Sequence, residues 1–187
     1  MNKLILLHCF LLCSGCGNTQ QKSTSFSSVE KPPLLINADT VITKHYFNFG
    51  SLYDKEYELT IKGTREVTFK GKTSFKDDTG VNEQWNISQV ELARLVEGFQ
   101  NIGFFQLSNE YGSLGGTHTP WTTIKIATNG KEKTIKRWFV DEKKFTPEEH
   151  SMRNLELLIN RTVGAETRIR KAFDLSLEYY PTDENIP

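Results

Sequence analysis

The sequence predicts an α+β fold, with an antiparallel sheet of about four to five strands (two hairpins) and two or three helices packed on one face. Three observations predict it. Tyr57, Leu59 and Ile61 alternate with Glu58, Thr60 and Lys62, the period of two that marks a half-buried strand. Asn129-Gly130 lies between two β-branched runs and is the preferred pair for a two-residue hairpin loop. Ser88-Gln89-Val90-Glu91 and Thr146-Pro147-Glu148-Glu149 are capping boxes, each followed by an apolar stripe at helical spacing.

Taken in chain order, residues 1–15 read as a signal peptide. Lys3 supplies a cationic start, residues 4–12 are almost wholly apolar, and small residues precede a cut site. The run is shorter than the roughly 20 residues that a membrane-spanning helix needs. Ser14-Gly15 before Cys16 resembles the bacterial lipobox, with Cys13 where that motif usually has Leu. Cys16 is therefore expected to be lipidated and to become the mature N-terminus, which makes the membrane a partner through its acyl chains. An ordinary signal peptide cut near Gly15 or Gly17 is the other reading of the same residues. Cys9, Cys13 and Cys16 are the only cysteines, so the exported body carries no disulfide. Resemblance to the lipoproteins of Gram-negative bacteria implies outer-membrane sorting, since Gly17 rather than Asp follows the cysteine, and for a Gram-negative host the expectation is an outer-membrane lipoprotein facing the periplasm.

After the lipidated Cys16, the stretch up to residue 33 is rich in Ser, Thr, Gln and Asn and has no hydrophobic period, as expected of a flexible tether. One domain is expected over residues 34–177, and residues 178–187 read as a loose acidic tail. A first strand is expected over residues 39–47. The hairpin around Gly63 has two possible loops. A two-residue loop would put the apolar sets of its strands on opposite faces. A three-residue loop over Gly63, Thr64 and Arg65 sets Ile61 opposite Val67 and Leu59 opposite Phe69, and it is preferred. Around Asn129-Gly130, Ile124 falls opposite Ile135. In the first helix Ile87 and Leu92 form a hydrophobic staple, and Leu92, Leu95, Val96, Phe99 and Ile102 form the stripe before Gly103. In the second, Met152, Leu155, Leu158, Ile159 and Val163 form the apolar side before Gly164. A short third helix falls over residues 165–173.

This order of motifs resembles a bacterial family, the domain of unknown function 6438. The resemblance lies in Tyr57-Glu58-Leu59-Thr60-Ile61, Val67-Thr68-Phe69-Lys70-Gly71, Gly103-Phe104-Phe105, Glu110-Tyr111, Thr122-Thr123-Ile124, Asn129-Gly130-Lys131 and the late helix with Leu155-Glu156. It spans roughly residues 40–163 and implies a small exported protein or lipoprotein with no assigned activity. Family members often carry a cysteine pair just before the Tyr57 position, and residues 50–54 have none. Many also carry an Asp after the Tyr111 loop, where this chain reads Gly116-Thr117-His118-Thr119-Pro120. No redox or acid role therefore passes to this chain.

Function classes are bounded by composition and spacing. With 23 Lys+Arg against 23 Asp+Glu, the chain lacks the basic excess of a general nucleic-acid binder, and no nucleic-acid partner is expected. No Gly-x-Ser-x-Gly or His-x-x-x-His spacing is present, and no catalytic residue, metal or cofactor is assigned. The richest candidate is the loop over residues 110–121. Its three glycines permit unusual backbone angles, and Tyr111, His118 and Trp121 offer faces and hydrogen bonds to a ligand. A glycine-rich connection whose aromatics cap the core is the competing reading. Lys131, Lys133, Lys136, Arg137, Lys143 and Lys144 form a basic run that could meet anionic lipid headgroups or an acidic partner, or be the wet face of an edge strand.

The leading expectation is a non-catalytic, membrane-anchored binding or interaction module of the cell envelope, whose partner is an envelope protein or small ligand. The alternative is an envelope-polymer hydrolase using some of Glu83, Glu110 and His118. A purely structural envelope protein is the third reading.

Overall fold

The structure, a computed structural model, describes residues 36–48, 55–73, 80–112, 119–139 and 142–173. All of them lie in the unit Lys31–Pro187. The signal peptide, Cys16, the tether, the acidic tail, residues 50–54 and His118 lie outside the described residues.

Seven strands form one sheet: β1 (Val41–Asn48), β2 (Lys55–Lys62), β3 (Glu66–Thr73), β4 (Val81–Asn86), β5 (Glu110–Tyr111), β6 (Trp121–Thr128) and β7 (Lys131–Trp138), in the order β4-β3-β2-β1-β6-β7-β5. Three α-helices accompany it among the described residues: α1 (Gln89–Asn101), α2 (Pro147–Val163) and α3 (Glu166–Phe173). The fold class is α+β, and two parts of the sequence expectation need correction. The sheet has seven strands rather than four to five, and it is mixed, because β5 runs parallel to β7. The missed strands have physical reasons. β4 reads VNEQWN, poor in β-branched residues, and is built as an edge. β5 has two residues, too few to display a period.

Turn chemistry sets the registers. Ile61 pairs with Val67 and Leu59 with Phe69, so the loop at Gly63 has three residues, with Arg65 taking φ 77°. Ile124 pairs with Ile135 across Asn129 and Gly130, whose φ values of 50° and 70° suit the two-residue turn. Both capping boxes form. The Ser88 side chain accepts from the Glu91 amide while the Glu91 carboxylate accepts from the Ser88 amide, and Thr146 and Glu149 repeat the exchange. Gly164 closes α2 at φ 64°.

One face of the sheet is apolar. Ile42, Leu59, Ile61, Phe69, Ile124, Ile126 and Ile135 are buried there with Leu92, Leu95 and Phe99 of α1 and Met152, Leu155 and Ile159 of α2. Trp85 Nε1 on β4 donates to the Val163 carbonyl of α2, which ties the sheet edge to the helix layer. β1, placed first by sequence, ends up central, with β2 on one side and β6 on the other.

Candidate functional site

Side chains alternate across a strand, so register alone assigns the face turned away from the helices. Phe47, Trp121 and Trp138 stand in one cross-strand row on β1, β6 and β7. The Phe47 and Trp121 rings stack, with centroids 5.5 Å apart at 27°. The neighbouring row carries His45, Thr123, Lys136 and Glu110. Lys136 Nζ lies 4.7 Å from the Trp121 ring centroid and 3.8 Å from that of Trp138, a cation held against two indoles. His45 meets Trp121 edge-on at 5.1 Å. Trp138 Nε1 donates to Glu110 Oε1. All four aromatic rings are half-buried.

His45 also joins this row to a polar groove of about 440 Å³ on the same face, lined by Glu56, Glu58, Lys70, Lys72 and Asn82. His45 Nε2 donates to Glu56 Oε1 at 2.8 Å, and Lys72 reaches the other carboxylate oxygen at 3.0 Å. Partial burial would raise the Glu56 pKa, but the hydrogen bonds from Lys72 and His45 outweigh it and hold the carboxyl below its usual range. Three lysines of this face meet carboxylates, Lys72 at Glu56, Lys62 at Glu66 and Lys125 at Glu132.

Trp121 and Tyr111 do not share a site. Trp121 pairs with Trp138 and Tyr111 with Arg137, consecutive residues of β7 that point to opposite faces. Tyr111 packs against the core, its hydroxyl accepts from the Ser108 amide at 3.1 Å, and it lines a cleft of about 460 Å³ with Thr146 and Glu149. Glycine spacing in residues 110–121 could not reveal this separation, which follows from the parallel pairing of β5.

The basic run is also split. Lys136 lies between the indoles, Lys133 Nζ donates to Leu107 O and Asn109 Oδ1 beyond the sheet edge, and Arg137 is buried. It forms no single cationic patch, and β7 is not the last strand. Glu83 and Glu110 lie on β4 and β5, opposite edges of the sheet, six strand spacings or roughly 29 Å apart. Glu83 is occupied by Lys171 at 2.8 Å and Arg168 at 3.0 Å, and the hydrogen bond from Lys171 lowers its pKa most. Among the described residues, no three His, Cys, Asp or Glu side chains are grouped to hold a metal ion.

An interior charge network was missed by sequence reasoning. Lys44, Arg137, Glu156 and Asn160 are all buried. Arg137 Nε and Nη2 donate to the two Glu156 oxygens at 2.7 and 2.6 Å. Lys44 Nζ donates to Asn160 Oδ1 at 2.8 Å and to Glu156 O at 3.2 Å. Desolvation lowers the Lys44 pKa to about 8 against the attraction of Glu156. A signal existed. Lys44 sits between Ile42 and Tyr46 on the inward parity of β1, and Glu156 follows Met152 by one helical turn.

A family described as "Domain of unknown function (DUF6438)" matches residues 55–159. That span runs from the start of β2 into α2 and leaves out β1, although β1 is the strand that joins β2 to β6. No curated protein matches the chain.

Proposed function

Because the chain belongs to the DUF6438 family, a domain of unknown function, no activity comes with its membership, and we propose a role from the surface itself. The protein is a non-catalytic binding module of the cell envelope. It is held on the outer membrane by lipidated Cys16, faces the periplasm, and uses the sheet face around Trp121 to contact an envelope protein or small ligand. One observation carries the contact surface, the Phe47–Trp121–Trp138 row with Lys136 against both indoles, on a face the helices leave uncovered. Indoles combine large contact area with few rotatable bonds, which is why they recur at the centre of interfaces. The balanced charge of this face favours a partner of mixed character over an anionic membrane surface.

The address rests on the lipobox-like residues before Cys16. Separation of Glu83 from Glu110 removes their pairing as one acid–base site, while His118, the third residue of the hydrolase alternative, lies outside the described residues. The test is a crosslinked pull-down from native membranes with the full lipoprotein and its Trp121→Ala form, folding being checked by circular dichroism. One partner captured by the wild type and lost in the variant is the expected result. Equal capture by both would remove this surface from the reading, and no stoichiometric partner in either would remove the binding role.

A further inference from the structure

The two edges of the sheet are built differently. β5 blunts one edge with two residues, and Lys133 is tied to Leu107 and Asn109 beside it. β4 leaves the other edge as a six-residue strand. Its register and the bond from Ile87 N to Arg65 O show which backbone groups are committed to β3. Val81, Glu83 and Trp85 fall on the hydrogen-bonded positions of the antiparallel ladder. Asn82, Gln84 and Asn86 therefore turn both N–H and C=O outward. No hydrogen bond to these outward groups is present among the described residues. The three side chains are exposed and uncharged, without the lysine, proline or bulge that usually protects an edge.

We propose that β4 pairs with β4 of a second copy of this chain, antiparallel about a two-fold axis through Gln84. This is independent of the contact at Trp121. A second copy fits because the strand is self-complementary in one register. Gln84 falls opposite Gln84 of the other copy, and Asn82 opposite Asn86. Every outward backbone group then finds a partner, giving six hydrogen bonds between the two copies. Amides meet amides on the outer face, and on the inner face Glu83 meets Trp85, so no like charges stand directly opposite. A shift by one residue would bring inward and outward parities together, and a shift by two would set Glu83 against Glu83 in one direction or Trp85 against Trp85 in the other, leaving four bonds within β4 either way. The contact is smaller than the roughly 800 Å² per partner of a standard interface, so it favours copies held at high local concentration.

The test uses the full chain in native membranes. In the Gln84→Cys form, the paired Cα atoms would stand about 5.5 Å apart, within reach of a disulfide. Thr68→Cys, at the same level of β3 but one strand further in, serves as the control with the natural cysteines unchanged. Mild oxidation should trap at least tenfold more homodimer with Gln84→Cys than with Thr68→Cys or the parent chain. Gln84→Lys sets two ammonium groups face to face at an exposed position, and should lower the dimer fraction, read by energy transfer between labelled copies in the same membranes, at least tenfold without changing the melting curve. Equal trapping in Gln84→Cys and the control would overturn the proposal. So would an unchanged dimer fraction in Gln84→Lys, or trapping of Gln84→Cys to a different polypeptide with no homodimer.

Discussion

Arg137 on β7 and Glu156 on α2 meet as a two-pronged ion pair, each only 1% exposed, at 2.7 and 2.6 Å. The pair joins a strand to the helix that covers it and draws in Lys44 through the backbone of Glu156. The cations outnumber the carboxylate here, since Lys44 and Arg137 share Glu156 in the interior and Arg153 adds a third positive charge at 3.7 Å. Among the described residues, Arg137 Nη1 and the Thr122 hydroxyl are buried without a hydrogen-bond partner.

Removing one member of the pair leaves the other buried and uncompensated. Arg137→Met or Glu156→Leu alone should cost roughly 3–5 kcal/mol of folding stability. The double substitution should recover much of that loss, because it removes both desolvation penalties together. Urea unfolding of the four forms closes the cycle, and simple additivity of the two losses would contradict the assigned coupling.

Lys44 gives the fold a pH dependence. Its folded-state pKa of about 8 lies below its ordinary 10.5, so the protonated amine destabilises the folded chain at pH 7. That penalty is relieved as pH rises from 8 towards 10.5, a gain of roughly 3 kcal/mol across the window. Lys44→Met should remove this rise. The difference in stability between wild type and variant, measured from pH 7 to 10, isolates the lysine from the tyrosines that titrate nearby in pH.

Gly63 is required for space. A Cβ there would stand 1.8 Å from the Asn37 carbonyl oxygen, a backbone atom, while the Gly63 amide donates to Thr40 O. Gly63→Ala should destabilise by about 2–3 kcal/mol, with the hairpin register kept. Thermal melting is the check, and a neutral result would mean that the Asn37 turn moves freely.

The α2 cap is a smaller and cleaner contribution. Thr146→Ala removes the acceptor of the Glu149 amide and should cost about 1 kcal/mol, while Thr146→Ser should cost far less. Thermal melting of the two variants beside the wild type gives the comparison.

Much of the fold is legible in the residue pattern alone. The three-residue loop at Gly63, the turn at Asn129-Gly130 and both capping boxes form as their residues predict. Each is settled by residues a few positions apart, where hydrogen bonding and backbone preference act without the rest of the chain. β4 is not legible, because Asn82, Glu83 and Gln84 carry no strand signal, and its Trp85 gains its role from Val163, far along the sequence. The candidate site is legible only as an aromatic, Trp121. Its companions Phe47, Trp138 and Lys136 come from other strands, and no spacing along the chain announces them.

The sequence by itself determined the α+β class, the two main hairpins, the ends of α1 and α2 and the family, because turns, caps and periodicity are local and repeat in a readable pattern. Only the tertiary structure decided the strand order, the parallel pairing of β5, the opposite faces of Tyr111 and Trp121, and the burial of Lys44, Arg137 and Glu156. Those features depend on which distant strands share hydrogen bonds, and a charged residue becomes an interior one only when its partner arrives from another element.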